Sequence, residues 1–407
     1  MQSEVVEAMA GHKVVFHCAS PNPNSTNREL LYNVNVIGTE NVVHACRTHG
    51  IEKLVFTSSA SVVYAGDDQS DADENLPYPA VFRDAYCETK AQAEQHVLDA
   101  GRDSGSSLAT IAIRPHGIFG PHDPQLVPTL VDVAKQGRNK WQIGAGDNLV
   151  DFTYVGNVVH SHLLAAEYAT PLARDPTRRR SGQVYFITND EPIRFWQFLG
   201  RILVGLGYKP PSFRLPYRFL LTMATVVEGI VAALSVITGK RPALTFSRSR
   251  VQLAGTHHYY NCGKAAREMK YKPLWSVEQG LWITLQSFQH LKNPTPQARY
   301  TLRDAESSSS KPVPSAARSG AGGDTLKKRE RTFTREEVAK HTTDTDAWVI
   351  IDGGVYDVTP YLDAHPGGDA IMRNLGGDNT EGFHRGQHPQ SAFTTREEFR
   401  IGRLADE

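Results

Sequence analysis

The sequence predicts two folds in one chain: a doubly wound parallel α/β sheet, incomplete at its N-terminus and bearing a small lobe, then a separate α+β unit at the C-terminal end. Three observations carry this. Apolar strand-like runs alternate with amphipathic helix-like stretches between residues 13 and 121. A stretch rich in Ser, Pro, Ala, Gly and charge (ESSSSKPVPSAARSGAGGD) interrupts the chain within residues 293–329. Apolar and glycine-rich segments resume after it, and 407 residues suffice for two or three domains.

The elements follow in order. Residues 13–20 (KVVFHCAS) form a short apolar run ending in small residues and predict a buried strand. Residues 30–50 (LLYNVNVIGTENVVHACRTHG) place apolar side chains at helical spacing and end in Gly. Residues 52–64 (EKLVFTSSASVVY) are rich in β-formers, and residues 85–101 (AYCETKAQAEQHVLDAG) are helical in pattern. Residues 108–121 (LATIAIRPHGIFGP) predict a strand running into a Gly/Pro turn. Such alternation argues for a parallel sheet covered on both faces. From about residue 140 to 292 the alternation breaks, which predicts a lobe over the C-terminal edge of the sheet.

Within that lobe, Phe219–Ile237 is a 19-residue apolar stretch with Arg218 before it and Lys240-Arg241 after it. As a helix it spans ~28 Å at ~1.5 Å per residue, against a bilayer core of ~30 Å. Glu228 sits in its middle, and a central carboxylate costs about 2.5–3.5 kcal/mol on insertion scales. A helix lying on a membrane, a true span and a buried helix all remain open here.

Residues 293–329 lack the apolar content to bury a core and are expected to be a linker between a body, 1–292, and a tail domain, 330–407. Formal net charge is zero, so nothing points to a nucleic-acid partner. The zero hides an asymmetry: residues 331–407 hold 14 acidic and 8 basic side chains, and the rest is net positive by the same margin. Cys18, Cys46, Cys87 and Cys262 form no CxxC pair, which suits a reducing compartment. The opening residues, MQSEVVEAMAGHK, lack the apolar core of a secretory signal.

Two features point to chemistry in the body. Tyr86 and Lys90, in Tyr86-Cys87-Glu88-Thr89-Lys90, share one helix face. The hydroxyl run Thr57-Ser58-Ser59-Ala60-Ser61 ends an apolar strand, where open α/β sheets bind ligands. Together they fit a dehydrogenase: Tyr86 removes a hydroxyl proton while hydride leaves for a nicotinamide, and Ser59 holds the substrate oxygen. A free tyrosine titrates near ~10. A Lys90 ammonium beside it is expected to favour the phenolate and lower that value. Lys90 could also bind the nicotinamide ribose.

In the tail, Asp363-Ala364-His365-Pro366-Gly367-Gly368 is followed by His388. Trp348 and Val355-Tyr356-Asp357-Val358-Thr359 stand upstream; Leu375-Gly376-Gly377-Asp378, Phe383 and Ile401-Gly402-Arg403-Leu404 stand downstream. The pattern resembles cytochrome b5, which implies that two imidazoles, one per face, saturate a heme iron and suit it to passing single electrons. Leu362, Leu375 and Phe383 are candidate apolar walls. His384 rivals His388, and His341 is a weaker candidate.

These tail motifs resemble cytochrome b5 along essentially all of residues 330–407. The resemblance implies heme b with His365 and His388 as axial ligands, the second lying five residues after Phe383. The body resembles the extended short-chain dehydrogenases, and more narrowly the 3β-hydroxysteroid dehydrogenase group. Besides the Tyr/Lys and Ser motifs, the match runs through Phe16-His17-Cys18-Ala19-Ser20, Asn35-Val36-Ile37-Gly38-Thr39-Glu40-Asn41-Val42 and Thr57-Ser58-Ser59-Ala60-Ser61-Val62-Val63-Tyr64. It continues in Arg114-Pro115-His116-Gly117-Ile118-Phe119-Gly120-Pro121 and Phe152-Thr153-Tyr154-Val155-Gly156-Asn157-Val158. Within the group, residues 10–290 are similar to the sterol-4α-carboxylate 3-dehydrogenases, which act with decarboxylation.

The resemblance implies a Rossmann-like fold, NAD or NADP as cofactor, and a sterol or triterpenoid 3β-hydroxyl as substrate. It places Ala19 and Ser20 near the adenine half of the cofactor and Pro115, Gly117 and Ile118 along the nicotinamide. Asn35 could instead only cap a helix, and Arg114-Pro115 only end a strand. It also implies an endoplasmic reticulum membrane setting on the cytoplasmic face, with a flavin reductase and a membrane oxidase as electron partners.

No GxGxxG or GxxGxxG occurs before Tyr86. By the family's layout, about 60–75 residues carrying the first strands and the phosphate-binding turn are expected to be missing. The sequence is then either a stretch of a longer chain or a short form with impaired dehydrogenase activity. In the latter case the tail carrier is the working part, and the body is a membrane adaptor. Either way the sheet is expected to expose an apolar edge.

Overall fold

The computed structural model describes residues 2–103, 105–175, 180–238, 246–293, 331–362, 368–384, 396 and 399–405. The chain divides into two compact units, Met1–Pro312 and Val313–Glu407.

The first unit is built on a four-stranded parallel sheet: β1 (Val14–His17), β2 (Lys53–Thr57), β3 (Ala109–Pro115) and β4 (Gln183–Ile187), adjacent in that order. Four helices are used below: α1 (Gly38–Thr48), α2 (Ala85–Arg102), α3 (Val155–Tyr168) and α4 (Tyr217–Thr238). Successive strand side chains point to opposite faces. Leu54 and Phe56 of β2 accordingly pack with Val42, Val43 and Cys46 of α1 and with Ala93 and Val97 of α2. Val55, between them, packs the other way with Ile111, Ile113, Tyr185 and Ala165 of α3. Helices on both faces of a parallel sheet make the unit Rossmann-like, with its strands pointing their C-terminal ends at one edge.

Two expectations need correction. The alternation does not end at residue 140: α3 and β4 extend it, and all five residues of β4 are buried or half-buried beside β3. The irregular short strands Trp141–Ile143, Leu149–Val150 and Thr153–Tyr154 mask the continuation in the sequence. Nor is β1 a buried strand. It forms the rim of the sheet, with Val14 38% and Phe16 44% exposed.

The lobe has its own core of Phe119, Val127, Val131, Phe152, Phe198, Ile202 and Leu203. The Phe152 and Phe198 rings stack at 3.8 Å. From this lobe a two-stranded parallel ribbon, Trp141–Ile143 with Phe213–Leu215, leads into α4. The apolar stretch is not a buried helix: only 17% of the overlapping span Tyr217–Ser235 is buried. Leu220 and Ala224 face inward, whereas Phe219, Met223, Val226, Ile230 and Leu234 are exposed.

The second unit holds a five-stranded mixed sheet, ordered Thr332–Phe333, Arg400–Leu404, Gly354–Asp357, Asp346–Ile351 and Thr342–Thr343. With the short helices Arg335–Val338 and Thr380–His384 it is an α+β domain. Residues 294–330, His365, His388 and Lys240-Arg241 lie outside the described residues.

Candidate active site

Parallel strands deliver their C-terminal ends to one edge, and three of them converge here. β1 ends into Cys18, Ala19 and Ser20; β2 into Ser58 and Ser59; β3 into His116, Gly117 and Ile118. Helix α2 brings Tyr86 and Lys90 to the same edge. It starts there because Asp84 caps it, its Oδ1 accepting from the Cys87 amide at 2.9 Å.

Lys90 is 2% exposed and donates from Nζ to the Thr57 carbonyl at 2.6 Å, with the ammonium 4.1 Å from the Phe56 ring centre. That bond ties the helix to the end of β2. Burial pulls its pKa down to about 7, opposed by Glu94 and Cys18.

Tyr86 behaves differently from expectation. Burial pushes its phenol up to about 12, eased by the hydroxyls of Ser20 and Ser59 beside it. The phenol therefore lies above its ordinary value rather than below it, and Lys90 Nζ is turned to the Thr57 carbonyl.

Ser20, expected near the adenine half of the cofactor, also has its hydroxyl beside Tyr86. Its Oγ donates to Asn35 Oδ1 at 3.0 Å, and Asn35 Nδ2 donates to Thr89 Oγ1 at 3.0 Å. Asn35 is no cap. It sits within a π-helical turn, Asn33–Ile37, wedged between Arg28–Tyr32 and α1, and is 1% exposed. A widened turn of this kind frequently marks a functional position. The Asn35 carbonyl accepts from Thr39 Oγ1 at 2.6 Å, and Thr39 meets His17 Nε2 at 2.9 Å. Burial, then Lys90, hold His17 down at about 4, so it is neutral at physiological pH. The network Ser20–Asn35–Thr39–His17 was missed by sequence reasoning, although all four residues lie in motifs quoted for the resemblance.

Ser59 caps the short 3₁₀ helix Ala60–Val63, accepting from Ser61 N at 3.2 Å, and its Oγ meets Ser61 Oγ at 2.8 Å. Its hydroxyl also acts on the Tyr86 phenol, lowering it. Pro115 is buried in β3, while Ala19, Gly117 and Ile118 are exposed at the edge. Gly117 has φ +53°, and a Cβ there would meet the Asp151 carbonyl at 2.6 Å, so only Gly lets the chain turn flat past the site. The same carbonyl accepts from His116 Nδ1 at 2.7 Å.

Arg114 does more than end a strand. It is 3% exposed and grips Glu94 of α2, 0% exposed on its side chain, through Nη2 at 2.6 Å and Nε at 2.9 Å. Tyr78 Oη also donates to Glu94, at 2.5 Å. This buried pair locks α2 to β3 one turn beyond Lys90.

In the tail, Phe383, Leu362 and Leu375 join one apolar cluster with Val358, Tyr356 and Ile371, the wall a flat macrocycle requires. The rival ligands have other partners: His384 Nε2 meets Asp352 Oδ1 at 2.8 Å, and His341 stacks on Trp348 at 3.5 Å with Nδ1 2.7 Å from Asp346 Oδ1.

Residues 1–217 match the 3-beta hydroxysteroid dehydrogenase/isomerase family, and residues 334–405 match the cytochrome b5-like heme/steroid binding domain. The chain is 49% identical over 291 residues to a sterol-4-alpha-carboxylate 3-dehydrogenase, decarboxylating, of Mus musculus, covering 72% of this chain and 78% of the relative. It is 43% identical over 292 residues to 3beta-hydroxysteroid-dehydrogenase/decarboxylase isoform 1 of Arabidopsis thaliana, covering 72% and 65%. The fold is shared with a UDP-glucose 4-epimerase of Thermotoga maritima (TM-score 0.52, 18% identity, 71% and 82% covered).

Proposed function

The chain belongs to the 3-beta hydroxysteroid dehydrogenase/isomerase family, and from that premise we propose that its body oxidises the 3β-hydroxyl of a sterol or triterpenoid carrying a carbon-4 carboxylate, with loss of carbon dioxide. The observation that supports it most is the meeting of Tyr86, Lys90 and Ser59 at the C-terminal ends of β1–β3. Bound NAD or NADP supplies the hydride acceptor. Ser59 positions the substrate hydroxyl, and Tyr86 Oη takes its proton. The Ser59 hydroxyl, and the Ser20 hydroxyl when its proton turns from Asn35 Oδ1, stabilise the phenolate that burial opposes. Lys90, anchored on Thr57, would hold the nicotinamide ribose. Ala19, Pro115, Gly117 and Ile118 line the cofactor's path. Oxidation sets a ketone β to the carboxylate, and carbon dioxide then departs through an enolate.

The tail is a bis-histidine electron carrier of the cytochrome b5 type, with His365 and His388 as ligands to heme b. Residues 293–329 link it to the body, 1–292, so that it works at high local concentration near a flavin reductase and a membrane oxidase. The exposed apolar stripe of α4 supports attachment to the cytoplasmic face of the endoplasmic reticulum membrane.

The test is NAD reduction by the purified chain with a 3β-hydroxy-4α-carboxysterol. Tyr86→Phe should lower turnover by about 10²–10⁴-fold. Unchanged turnover in that variant removes Tyr86 from the chemistry, and no turnover in the parent leaves the tail as the working part.

A further inference from the structure

Trp141 and Phe213 sit opposite one another in the parallel ribbon, their rings 5.4 Å apart and 53% and 55% exposed. Side chains two apart on a strand share a face. Trp141 therefore shares its face with Ile143, and Phe213 with Leu215. Ile143 and Leu215 pack against Leu220 and Ala224 of α4. The aromatic pair thus stands on the side of the ribbon that carries the helix, next to its first turn. From there Phe219, Met223, Val226, Ile230 and Leu234 continue along one exposed helical face.

The two segments that carry the pair hold charge of one sign. Residues 135–143 contain Lys135, Arg138 and Lys140, residues 209–227 contain Lys209, Arg214 and Arg218, and neither segment has an acidic residue. All six basic residues are exposed, but Arg214, between Phe213 and Leu215 in the strand, projects from the opposite face of the ribbon, which leaves Lys135, Arg138, Lys140, Lys209 and Arg218 for the rim. The two segments are bonded together: Asn139 Nδ2 donates to the Lys209 carbonyl at 2.6 Å, and the Phe213 amide to the Lys140 carbonyl at 2.9 Å. The carboxylates of Asp67 and Asp68 act on the Tyr217 hydroxyl, whose ring lies inward against Gly255, and Asp132 acts on Tyr208.

We propose that this face docks on an anionic phospholipid bilayer, with Trp141 and Phe213 at headgroup depth, the basic rim on lipid phosphates and α4 lying in the interface plane. The inference rests on the membrane attachment proposed above and adds the second contact and the lipid charge. Aromatic rings favour the headgroup layer. An amphipathic helix beside a polybasic rim is the composition of an in-plane anchor. Glu228 accepts from the Arg248 amide at 2.7 Å, a contact that holds α4 on the lobe. An acidic protein partner would use the rim but leave a five-residue apolar stripe without a purpose.

Flotation of the full chain with vesicles tests it. Binding should be stronger to phosphatidylcholine–phosphatidylserine than to phosphatidylcholine alone, and should weaken with salt. Lys140→Glu with Arg218→Glu should lower binding to the anionic vesicles by about fivefold or more per residue and leave neutral-vesicle binding unchanged. Trp141→Ser with Phe213→Ser should weaken binding to both. Equal binding to the two vesicle types overturns the proposal. So does loss of binding only in Val226→Asp with Ile230→Asp, a result that leaves the helix attachment standing. Failure of the parent chain to bind any vesicle removes both.

Discussion

Lys90 illustrates how one buried cation is set for use. Its folded pKa lies near 7 against an ordinary value of 10.5. Between those values the unfolded chain holds more protons than the folded one, so this group makes stability rise with pH from about 7 to 10.5. Below 7 the full penalty of burying the ammonium applies. Denaturant titrations across that range should show the slope in the parent and its loss in Lys90→Met; equal slopes would mean the amine is not desolvated. Ser20 offers a sharper probe of the phenol. Ser20→Ala removes one of the two hydroxyls that ease Tyr86, so the alkaline pKa of the rate profile should move up. A purely structural role would change expression and leave that pKa in place. The Tyr86/Lys90 pair was legible because helical spacing alone puts i and i+4 on one face. The turn of the Lys90 amine onto Thr57, and of Ser20 onto Tyr86, depends on strands distant in sequence and could not be read.

Among the elements, α2 carries Tyr86 and Lys90, and its two anchors should separate experimentally. Asp84→Ala removes the cap and should cost about 0.5–2 kcal/mol, with turnover falling because Tyr86 lies in the first turn. Arg114→Met leaves Glu94 charged and buried, which should cost about 3–5 kcal/mol, whereas Arg114→Met with Glu94→Leu should recover much of that. Thermal melts of the single and double variants decide it, and additive losses would contradict the pair. Strand β3 was legible as LATIAIRP, yet the π turn at Asn33–Ile37 was not, since NVNVIG satisfies ordinary helical periodicity. The strand β4 escaped notice because short irregular ribbons precede it.

At the scale of the whole molecule, the division into two units means that dehydrogenation and electron carriage should be lost separately. His365→Ala and His388→Ala should each abolish the six-coordinate heme spectrum and leave NAD reduction by the body intact; a six-coordinate spectrum surviving in either variant would dismiss that histidine as a ligand. The class of both units was readable from strand–helix alternation and from the Gly- and His-bearing tail. The arrangement of the lobe was not, because its ribbons pair residues far apart, as Phe213 with Trp141 or His258 with Gln69.

The rim strand β1 has a consequence for handling residues 1–407 by themselves. In such a preparation its outward backbone and the side chains of Val14 and Phe16 offer a sticky seam that a second polypeptide can zip onto. Concentrated samples should therefore cluster through this seam. A lysine at position 16, facing outward, should loosen that grip and raise the soluble yield.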